Sequence, residues 1–539
     1  MIKHTIRFCI LLFFGCIPLF LIGQDDYRNA SQIQDALQAL VRQHPSNASI
    51  ESLTKTPGGQ DIWVLTLSEG QADQKPAMLI AAGVDGRHLL SVELAAELAQ
   101  DILENKKAIL DQTTFYILPN LNPDASQQYF QDLKYERIGN GTATDDDRDG
   151  DVGEDPFEDL NGDGMITMMR VADPTGSYIP LEEDQRIMVK ADAKKGQVGT
   201  YKLLTEGRDN DQDGSFNEDG EGGVSFNRNL SYNFPYFTPG AGEHPVSQME
   251  TRAVLDFLYE QWNIYGILTF GPANNLSSPL KYAAPNAKKR VVTSILAEDA
   301  PLNALISDTY NKIVPKDDAP ASVTAGGGFF EWSYFHFGRL AMSTPAWWAP
   351  QPAKDTTVKD SKNAEVNFLR WAAQQEIEPA FVEWTSIQHP DFPNQKVEVG
   401  GIAPFVRWNP PYSNLPSIVE KHSSFLEEVV AMQASLNFTN LKQEDLGNGI
   451  HRISVDLHNP GILPTHTQMG DRSRWLKKIK VELMTSESQK VLSGRPIQLV
   501  ERIRGDEVLS LSWLVQGGGS LVLKAGAPHL GQTQVEFKL

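Results

Sequence analysis

The feature that most constrains the fold is a short apolar run joined by a polar turn to a helical pattern. The run "PAMLIAAG", residues 76–83, has the continuous apolar character of a strand buried on both faces. After the turn "VDGRH", residues 89–110 place apolar side chains at helical spacing. Further strand-like runs, "TTFYILPNLNP" and "IYGILTF", follow in alternation with helical patterns. This alternation predicts an α/β domain with a mixed, mostly parallel sheet.

The carboxyl-terminal part of the chain has a different pattern. From about residue 436 to 539, short alternating runs such as "IHRISVDLHN" and "LSLSWLVQ" are separated by Gly, Asn and Pro turns. This pattern is typical of a β-sandwich, and we expect it to be an accessory domain. A chain of 539 residues exceeds what one core usually supports. We therefore expect an α/β domain over residues 24–435 and a β-sandwich over residues 436–539.

Residues 1–23 have the pattern of a secretory signal peptide, with basic residues followed by an apolar run over residues 8–23. A retained membrane anchor is the alternative, but the run is short for a spanning helix and contains Pro18. Both cysteines, Cys9 and Cys16, lie in this segment, so the mature chain has no disulfide. We expect a secreted or periplasmic protein that has no membrane contact after cleavage.

The formal charge of −21 argues against nucleic acid and anionic membranes as partners, since both would repel the chain. Much of the charge lies in an insertion, residues 144–220, where three blocks recur: "DDDRDGDVGED", "DLNGDGMITMMR" and "DNDQDGSFNEDG". Each places oxygen-bearing side chains at alternate positions before a Gly, as calcium loops do. The predicted calcium ligands are Asp145, Asp147, Asp149, Asp151, Asp159, Asn161, Asp163, Asp209, Asp211 and Asp213.

The three blocks are not complete EF-hands. The twelfth positions, which need a bidentate Glu, hold Pro156, Arg170 and Gly220, although Glu154 or Glu218 could close a variant loop. A solvated acidic loop is the alternative. We favour calcium, because an uncompensated cluster of carboxylates would repel itself.

The turn after the first strand carries Asp85, Arg87 and His88. Sites in open α/β sheets lie at the carboxyl ends of strands, so these side chains indicate a site. Six phrases, in order over residues 30–430, resemble the zinc carboxypeptidases of the carboxypeptidase A type, in particular a secreted bacterial branch: "GVDGRH", "LPNLNPDA", "VSFNRNLSYNF", "SQMETRAVLDFL", "FFEWSYFHFG" and "MSTPAWW". The resemblance implies a three-layer α/β/α domain and proteolysis by a zinc hydrolase.

The resemblance also implies that the catalytic positions are altered. Such a hydrolase needs zinc on His, Glu and His, and a Glu as general base. Here Asp85 stands at the first His position, His88 at the Glu position, Gly271 at the second His position and Ala346 at the base position. We therefore doubt that zinc binds, and we expect Asp85 to form an ion pair with His88 or Arg87. His244, His336 and Glu331 are candidates for a relocated ligand, with no spacing argument behind them.

Positions that contact substrate in the family are kept. Asn227 and Arg228 of "FNRN" match the pair that clamps the substrate's terminal carboxylate, and Arg87 matches an Arg that faces the substrate pocket. The family's capping tyrosine is not evident, and the stretch "ASVTAGGGFF" has Val323 about where it is expected. A structural ion pair is the alternative role for Arg228.

Three functions are compatible with this sequence. The first is a catalytically impaired protein, a pseudoenzyme, that binds the free carboxylate of a peptide or cell-wall peptide. The second is an active metallocarboxypeptidase with a relocated metal site. The third is a calcium-stabilised structural or adhesion module. The lost catalytic positions favour the first function.

Overall fold

The computed structural model describes residues 26–145, 150–153, 155–212, 214, 216–217, 222–350 and 361–539. The predicted signal peptide lies outside the described residues, as do Asp147, Asp149, Glu154, Asp213 and Glu218. No helix in the described ranges combines the length and the apolar character needed to cross a membrane.

The described residues form helices and strands in both predicted regions. The helices are α1 Ala30–Gln43, α2 Leu89–Glu104, α3 Pro123–Ser126, α4 Met249–Glu260, α5 Ala284–Ala287, α6 Ala300–Ile313, α7 Phe329–Phe335, α8 Ala364–Gln374 and α9 Leu415–Ala431. The strands are β1 Ala48–Lys55, β2 Asp61–Leu67, β3 Ala77–Ala81, β4 Thr114–Leu118, β5 Met168–Ala172, β6 Tyr178–Pro180, β7 Met188–Lys190, β8 Tyr201–Thr205, β9 Ile264–Phe270, β10 Leu340–Thr344, β11 Phe381–Ile387, β12 Val397–Ile402, β13 Asn437–Asp445, β14 Ile450–Asn459, β15 Ile479–Met484, β16 Lys490–Ser493, β17 Ile497–Val500, β18 Glu507–Gln516, β19 Ser520–Ala527 and β20 Gly531–Lys538.

The main sheet has the strand order β1-β2-β4-β3-β9-β10. Strands β4, β3, β9 and β10 run parallel to one another, whereas β2 is antiparallel to both β1 and β4. Helices cover both faces of this sheet, and alternate residues of β3 therefore pack against helices on opposite faces. Met78 and Ile80 pack with α1, α2, α6 and α9, and Leu79 packs with α4 and α7. The predicted three-layer α/β/α domain with a mixed sheet is confirmed.

A second sheet, with the order β11-β12-β5-β8-β6-β7, is antiparallel throughout. Its strands β5 to β8 belong to the acidic insertion, and β11 and β12 come from residues 381–402. The insertion therefore is not a separate acidic loop. It forms a sheet with a segment that follows the last strand of the main sheet.

The predicted β-sandwich is also confirmed. Its two sheets have the orders β13-β14-β18-β16 and β17-β15-β19-β20. The alternating residues that the sequence pattern marks as apolar form its core, with Trp513 and Leu523 fully buried between the sheets.

Polar contacts join the sandwich region to the α/β domain. The buried guanidinium of Arg339 donates from Nε to the carbonyl of Ile264 at 2.6 Å and from Nη2 to the carbonyl of Trp475 at 2.6 Å. The carboxylate of Asp299 accepts backbone N–H bonds from Gln468 and Met469. The two regions therefore share a buried polar network.

Candidate functional site

The ends of three parallel strands gather the positions predicted to form the site. Asp85 lies in the turn after β3, Gly271 follows β9, and Ala346 lies two residues after β10. These strands are neighbours in the sheet, so their carboxyl ends meet at one edge. The N–H of Gly271 donates to the carbonyl of Thr344 at 3.0 Å. The structure thus brings positions 271 and 346 together beside the turn.

Asp85 and Arg87 form a two-pronged ion pair within the turn. The Asp85 carboxylate accepts from Nε of Arg87 at 2.9 Å and from Nη2 at 2.7 Å, and it also accepts the Arg87 backbone N–H. Burial raises the pKa of Asp85, but the hydrogen bonds and charge of Arg87 outweigh burial and lower this pKa to about 2. One of the two expected ion pairs is therefore present.

The guanidinium of Arg87 also contacts two residues that the sequence analysis did not identify, Glu136 and Trp408. Its Nη1 lies 3.7 Å from a carboxylate oxygen of Glu136, and its guanidinium lies 4.8 Å from the ring centre of Trp408. Trp408 in turn donates from Nε1 to Glu136 at 3.1 Å. Arg87 is thus held between two carboxylates and an aromatic face. No spacing in the sequence links residues 87, 136 and 408.

His88 is buried beneath this arrangement. Its ring centre lies 5.1 Å from that of Trp408, and its Nε2 has no hydrogen-bond partner among the described residues. Burial lowers the pKa of His88, although the charge of Asp85 opposes that effect. The imidazole is therefore neutral at pH 7, in the form that could accept a proton or a metal.

The third ligand position is closed by packing. A Cβ on Gly271 would lie 2.6 Å from Cγ2 of Val84, which is fully buried. Contacts this short do not occur between real carbon atoms, so no side chain fits at position 271 unless Val84 shifts within the packed core. With Asp85 bound to Arg87, the residues present do not fit the zinc set of His, Glu and His.

The base position also lacks an ionisable group. Ala346 is buried and has a left-handed backbone with φ +65°, and its N–H donates to Oγ1 of Thr344 at 3.1 Å. The same Oγ1 lies 3.0 Å from the hydroxyl of Tyr310, which contacts the buried His422. This network holds the backbone but offers no carboxylate at the edge of the sheet.

The candidates for a relocated zinc ligand lie in other contacts. Nδ1 of His244 contacts the carbonyl of Pro245, and Nδ1 of His336 contacts Oγ of Ser231. Glu331 accepts the Ala325 N–H, and burial raises the pKa of Glu331 to about 7. None of the three belongs to a set of three close metal-ligating side chains within the described ranges.

Asn227 and Arg228, predicted to clamp a carboxylate, make few polar contacts among the described residues. Arg228 closes the short helical turn Phe226–Arg228 and donates from Nη1 to the carbonyl of Pro239 at 2.8 Å. Among the described residues, no carboxylate pairs with Arg228, so the alternative of a structural ion pair is not observed. Asn227 accepts the Phe329 N–H with its Oδ1, which leaves its Nδ2 free of partners in that part of the chain.

The position of the missing tyrosine lies close to the strand ends. The N–H of Val323 donates to the carbonyl of Pro272, the residue after Gly271, and the Val323 side chain is 59% exposed. The residue near the expected position of the capping tyrosine is therefore an exposed aliphatic side chain, which cannot donate a hydrogen bond.

The acidic insertion brings together one set of three carboxylates among the described residues. Ligand oxygens of Asp155, Asp209 and Asp211 lie within 4.8 Å of one another. Asp209 and Asp211 belong to the third predicted block, whereas Asp155 was not among the predicted ligands. The sequence indicated Asp155 only by its position at the end of the first acidic block, in "GEDPF". Asp145 and Asp151 are described but are not in this set.

The second acidic block is satisfied by its own backbone. Asp159 accepts N–H bonds from Gly162 and Gly164, and Asp163 accepts the Met165 N–H. Asn161 accepts the Asp163 N–H. These predicted ligands therefore form a series of hydrogen-bonded turns on the surface.

Comparisons with known proteins agree with this architecture. Residues 33–176 match the model of a family described as zinc carboxypeptidase, and residues 435–538 match a family described as a domain of unknown function. A zinc carboxypeptidase of Saccharothrix mutabilis subsp. capreolus is 26% identical over 147 residues, which cover 25% of this chain and 32% of that protein. Carboxypeptidase B of Astacus astacus is 28% identical over 109 residues, which cover 20% and 36%. The chain spans about a third of the length of these relatives.

The chain is also similar to solved structures. Carboxypeptidase A from Helicoverpa armigera aligns with 65% of this chain and 71% of its own, at 14% identity and a TM-score of 0.37. Thrombin activatable fibrinolysis inhibitor aligns over 75% and 74%, at 12% identity and a TM-score of 0.42. The family match contains the turn with Asp85, Arg87 and His88, whereas positions 227, 228, 271 and 346 lie beyond it.

Proposed function

Since the α/β domain of this chain belongs to the zinc carboxypeptidase family, we propose that the protein binds the free carboxyl terminus of a peptide, or of a cell-wall peptide, without hydrolysing it efficiently. The observation that carries this proposal is that, among the described residues, no carboxylate pairs with Arg228 and no partner engages Nδ2 of the adjacent residue Asn227. A guanidinium offers a carboxylate two parallel, charge-assisted hydrogen bonds, and an amide N–H adds a third donor.

The loss of hydrolysis is supported by two features at the sheet edge. Position 271 has no room for a metal-ligating side chain because of Val84, and position 346 carries a methyl group in place of a base. General acid–base catalysis commonly contributes about 10² to 10⁴ in rate, so any remaining hydrolysis would be slow.

The test compares binding of N-acetyl tripeptides that differ in their last residue, each as the free acid and as the amide. We expect at least one free acid to bind and its amide to bind at least about tenfold more weakly, because the amide lacks the charge that the guanidinium recognises. The R228A variant should bind the free acid at least about tenfold more weakly than the wild-type protein does. R252A is the matched control, since Arg252 is an exposed Arg on α4 whose partner is Asp256.

The outcomes separate the three functions. Equal binding of acids and amides, or undiminished binding by R228A, would contradict the carboxylate clamp. Zinc-dependent release of the last residue would instead favour an active metallocarboxypeptidase with a relocated metal. An absence of binding by every peptide would favour the structural or adhesion role.

We also propose that the mature protein acts outside the cytoplasm and that its metal is calcium, held by the acidic insertion. The pattern of residues 1–23 supports export, and the acidic set supports a hard cation with oxygen ligands. Amino-terminal sequencing of the protein recovered from its producing cells should begin near residue 24; recovery of an intact residue 1 would contradict cleavage.

A further inference from the structure

The set formed by Asp155, Asp209 and Asp211 differs from each loop that the sequence pattern predicts. Asp155 precedes β5, whereas Asp209 and Asp211 follow β8. Their ligand oxygens nevertheless lie within 4.8 Å of one another. The fold of the second sheet, and not a local repeat, therefore brings these carboxylates together.

Asp155 provides an independent indication that something is bound here. The residue is fully buried, and its Oδ1 accepts the Asn210 N–H at 2.6 Å, but its Oδ2 has no partner among the described residues. A buried ionised carboxylate is unfavourable unless it is paired or coordinates a metal. No Lys, Arg or His in the described ranges pairs with Asp155.

Asp209 repeats this arrangement. Its Oδ2 accepts the Gly214 N–H at 3.1 Å, and its buried Oδ1 is without a partner in the described part of the chain. The adjacent basic residue, Arg208, directs its guanidinium at Glu158, with an Nε to Oε2 distance of 3.5 Å. Each of the two aspartates thus has one oxygen fixed by backbone and one oxygen left over.

We infer that one calcium ion binds at this composite site, to the free oxygens of Asp155 and Asp209 and to the carboxylate of Asp211. Hard oxygen ligands suit Ca²⁺ or Mg²⁺. Calcium lies about 2.3 to 2.6 Å from its ligands and accepts irregular geometry, so it can bridge any oxygens within 4.8 Å of one another, whereas Mg²⁺ requires near-ideal octahedral geometry. Water would complete the coordination of the ion.

The ion would join segments that flank the two neighbouring inner strands β5 and β8 of the second sheet. Asp209 also donates its backbone N–H to Asp391, in the connection between β11 and β12, at 3.2 Å. The site therefore links the segment before β5, the segment after β8 and the β11–β12 connection. This inference rests on the proposal that the insertion binds calcium, and it is independent of peptide binding by Arg228.

The experiment uses the mature full-length protein and measures bound calcium by mass spectrometry and the midpoint of thermal unfolding with calcium, magnesium or a chelator. We expect calcium to raise the midpoint of the wild-type protein by about 5 °C or more over the chelated form. D155N and D209N should bind one calcium fewer and lose this shift. D211N, at an exposed position, keeps the test valid if the two partly or fully buried variants fail to fold.

The matched control is D159N, because Asp159 lies in an exposed acidic turn whose N–H groups already satisfy it. It should behave like the wild-type protein. Loss of the calcium in D159N but not in D211N would overturn the composite site while leaving calcium binding intact. If the wild-type protein binds no calcium, both the composite site and calcium binding by the insertion are overturned. If magnesium raises the unfolding midpoint as much as calcium does, the choice of ion is overturned. Peptide binding by each variant shows separately whether the proposed function fails.

Discussion

The Cγ2 methyl group of Val84 lies 2.6 Å from the point that a Cβ at position 271 would occupy, so Val84 and Gly271 pack as a single matched contact. Val84 ends the run that leads from β3 into the turn, and Gly271 is the first residue after β9. The resemblance to the zinc carboxypeptidases implies a zinc-binding histidine at position 271. In this protein, Val84, which follows the neighbouring strand β3, occupies the space that a side chain there would need.

This contact predicts that G271A destabilises the protein, although Gly→Ala is usually mild. Overpacking of a buried site costs about 1 to 3 kcal/mol, and urea unfolding of the purified protein measures it. In the V84A/G271A double variant the loss should be clearly smaller than the sum of the two single losses, because removing the methyl relieves the clash. Strictly additive losses would show that the two positions do not interact. G271H should not restore zinc binding.

The ion pair of Asp85 with Arg87 predicts a loss of stability in acid. Its folded pKa of about 2 lies below the ordinary value of 3.8, so its stabilising contribution is present above about pH 4 and is lost as pH falls toward 2. D85N should be about 2 kcal/mol less stable than the wild-type protein at pH 7, and the difference should shrink between pH 4 and 2. Urea unfolding at several pH values measures this. D256N, which removes an exposed carboxylate paired with Arg252, should show a far smaller difference.

The buried Glu331 predicts the opposite dependence on pH. Burial raises its pKa to about 7 from 4.5, so the folded state becomes less stable, relative to the unfolded chain, as pH rises from about 4.5 to 7. E331Q should remove this dependence and be more stable than the wild-type protein at pH 8, by up to about 3 kcal/mol. Thermal unfolding at pH 4.5 and pH 8 tests it, with E260Q at an exposed position as the control. If the wild-type protein were more stable than E331Q at pH 8, the raised pKa of Glu331 would be contradicted.

The network at the boundary with the sandwich predicts that the two regions unfold together. R339A leaves the buried carbonyls of Ile264 and Phe337, and the partly buried carbonyl of Trp475, without this donor. Each unsatisfied buried group costs about 1 to 3 kcal/mol, so we expect a loss of at least about 2 kcal/mol. Calorimetry should show one transition in the wild-type protein and two in R339A. R290A, which removes an exposed arginine, should leave the single transition unchanged.

The general fold was predictable because its signals are local. Continuous apolar runs such as β3 and β9 indicate buried strands, and the alternation in β14 and β18 indicates a sandwich. The second sheet was not predicted. Strand β5 pairs with β12 from a segment far along the chain, and neither strand's own pattern specifies its partner.

The site was predictable only in part. The turn positions follow from the resemblance, and the ion pair of Asp85 with Arg87 follows from two opposite charges two residues apart. The roles of Glu136, Trp408 and Val84 depend on how distant segments pack, and no periodicity shows that. The composite acidic set was missed for the same reason, because Asp155 and Asp209 become neighbours only when the second sheet has formed.

The pairing of β5 with β12 has a consequence for the growing polypeptide. Val397, where β12 begins, follows Ala172, where β5 ends, by 225 residues. During synthesis, one edge of β5 remains open until that later segment emerges, and open strand edges can pair with other chains. The like charges of the many aspartates in the insertion oppose such association, because they repel the same segment of a second chain.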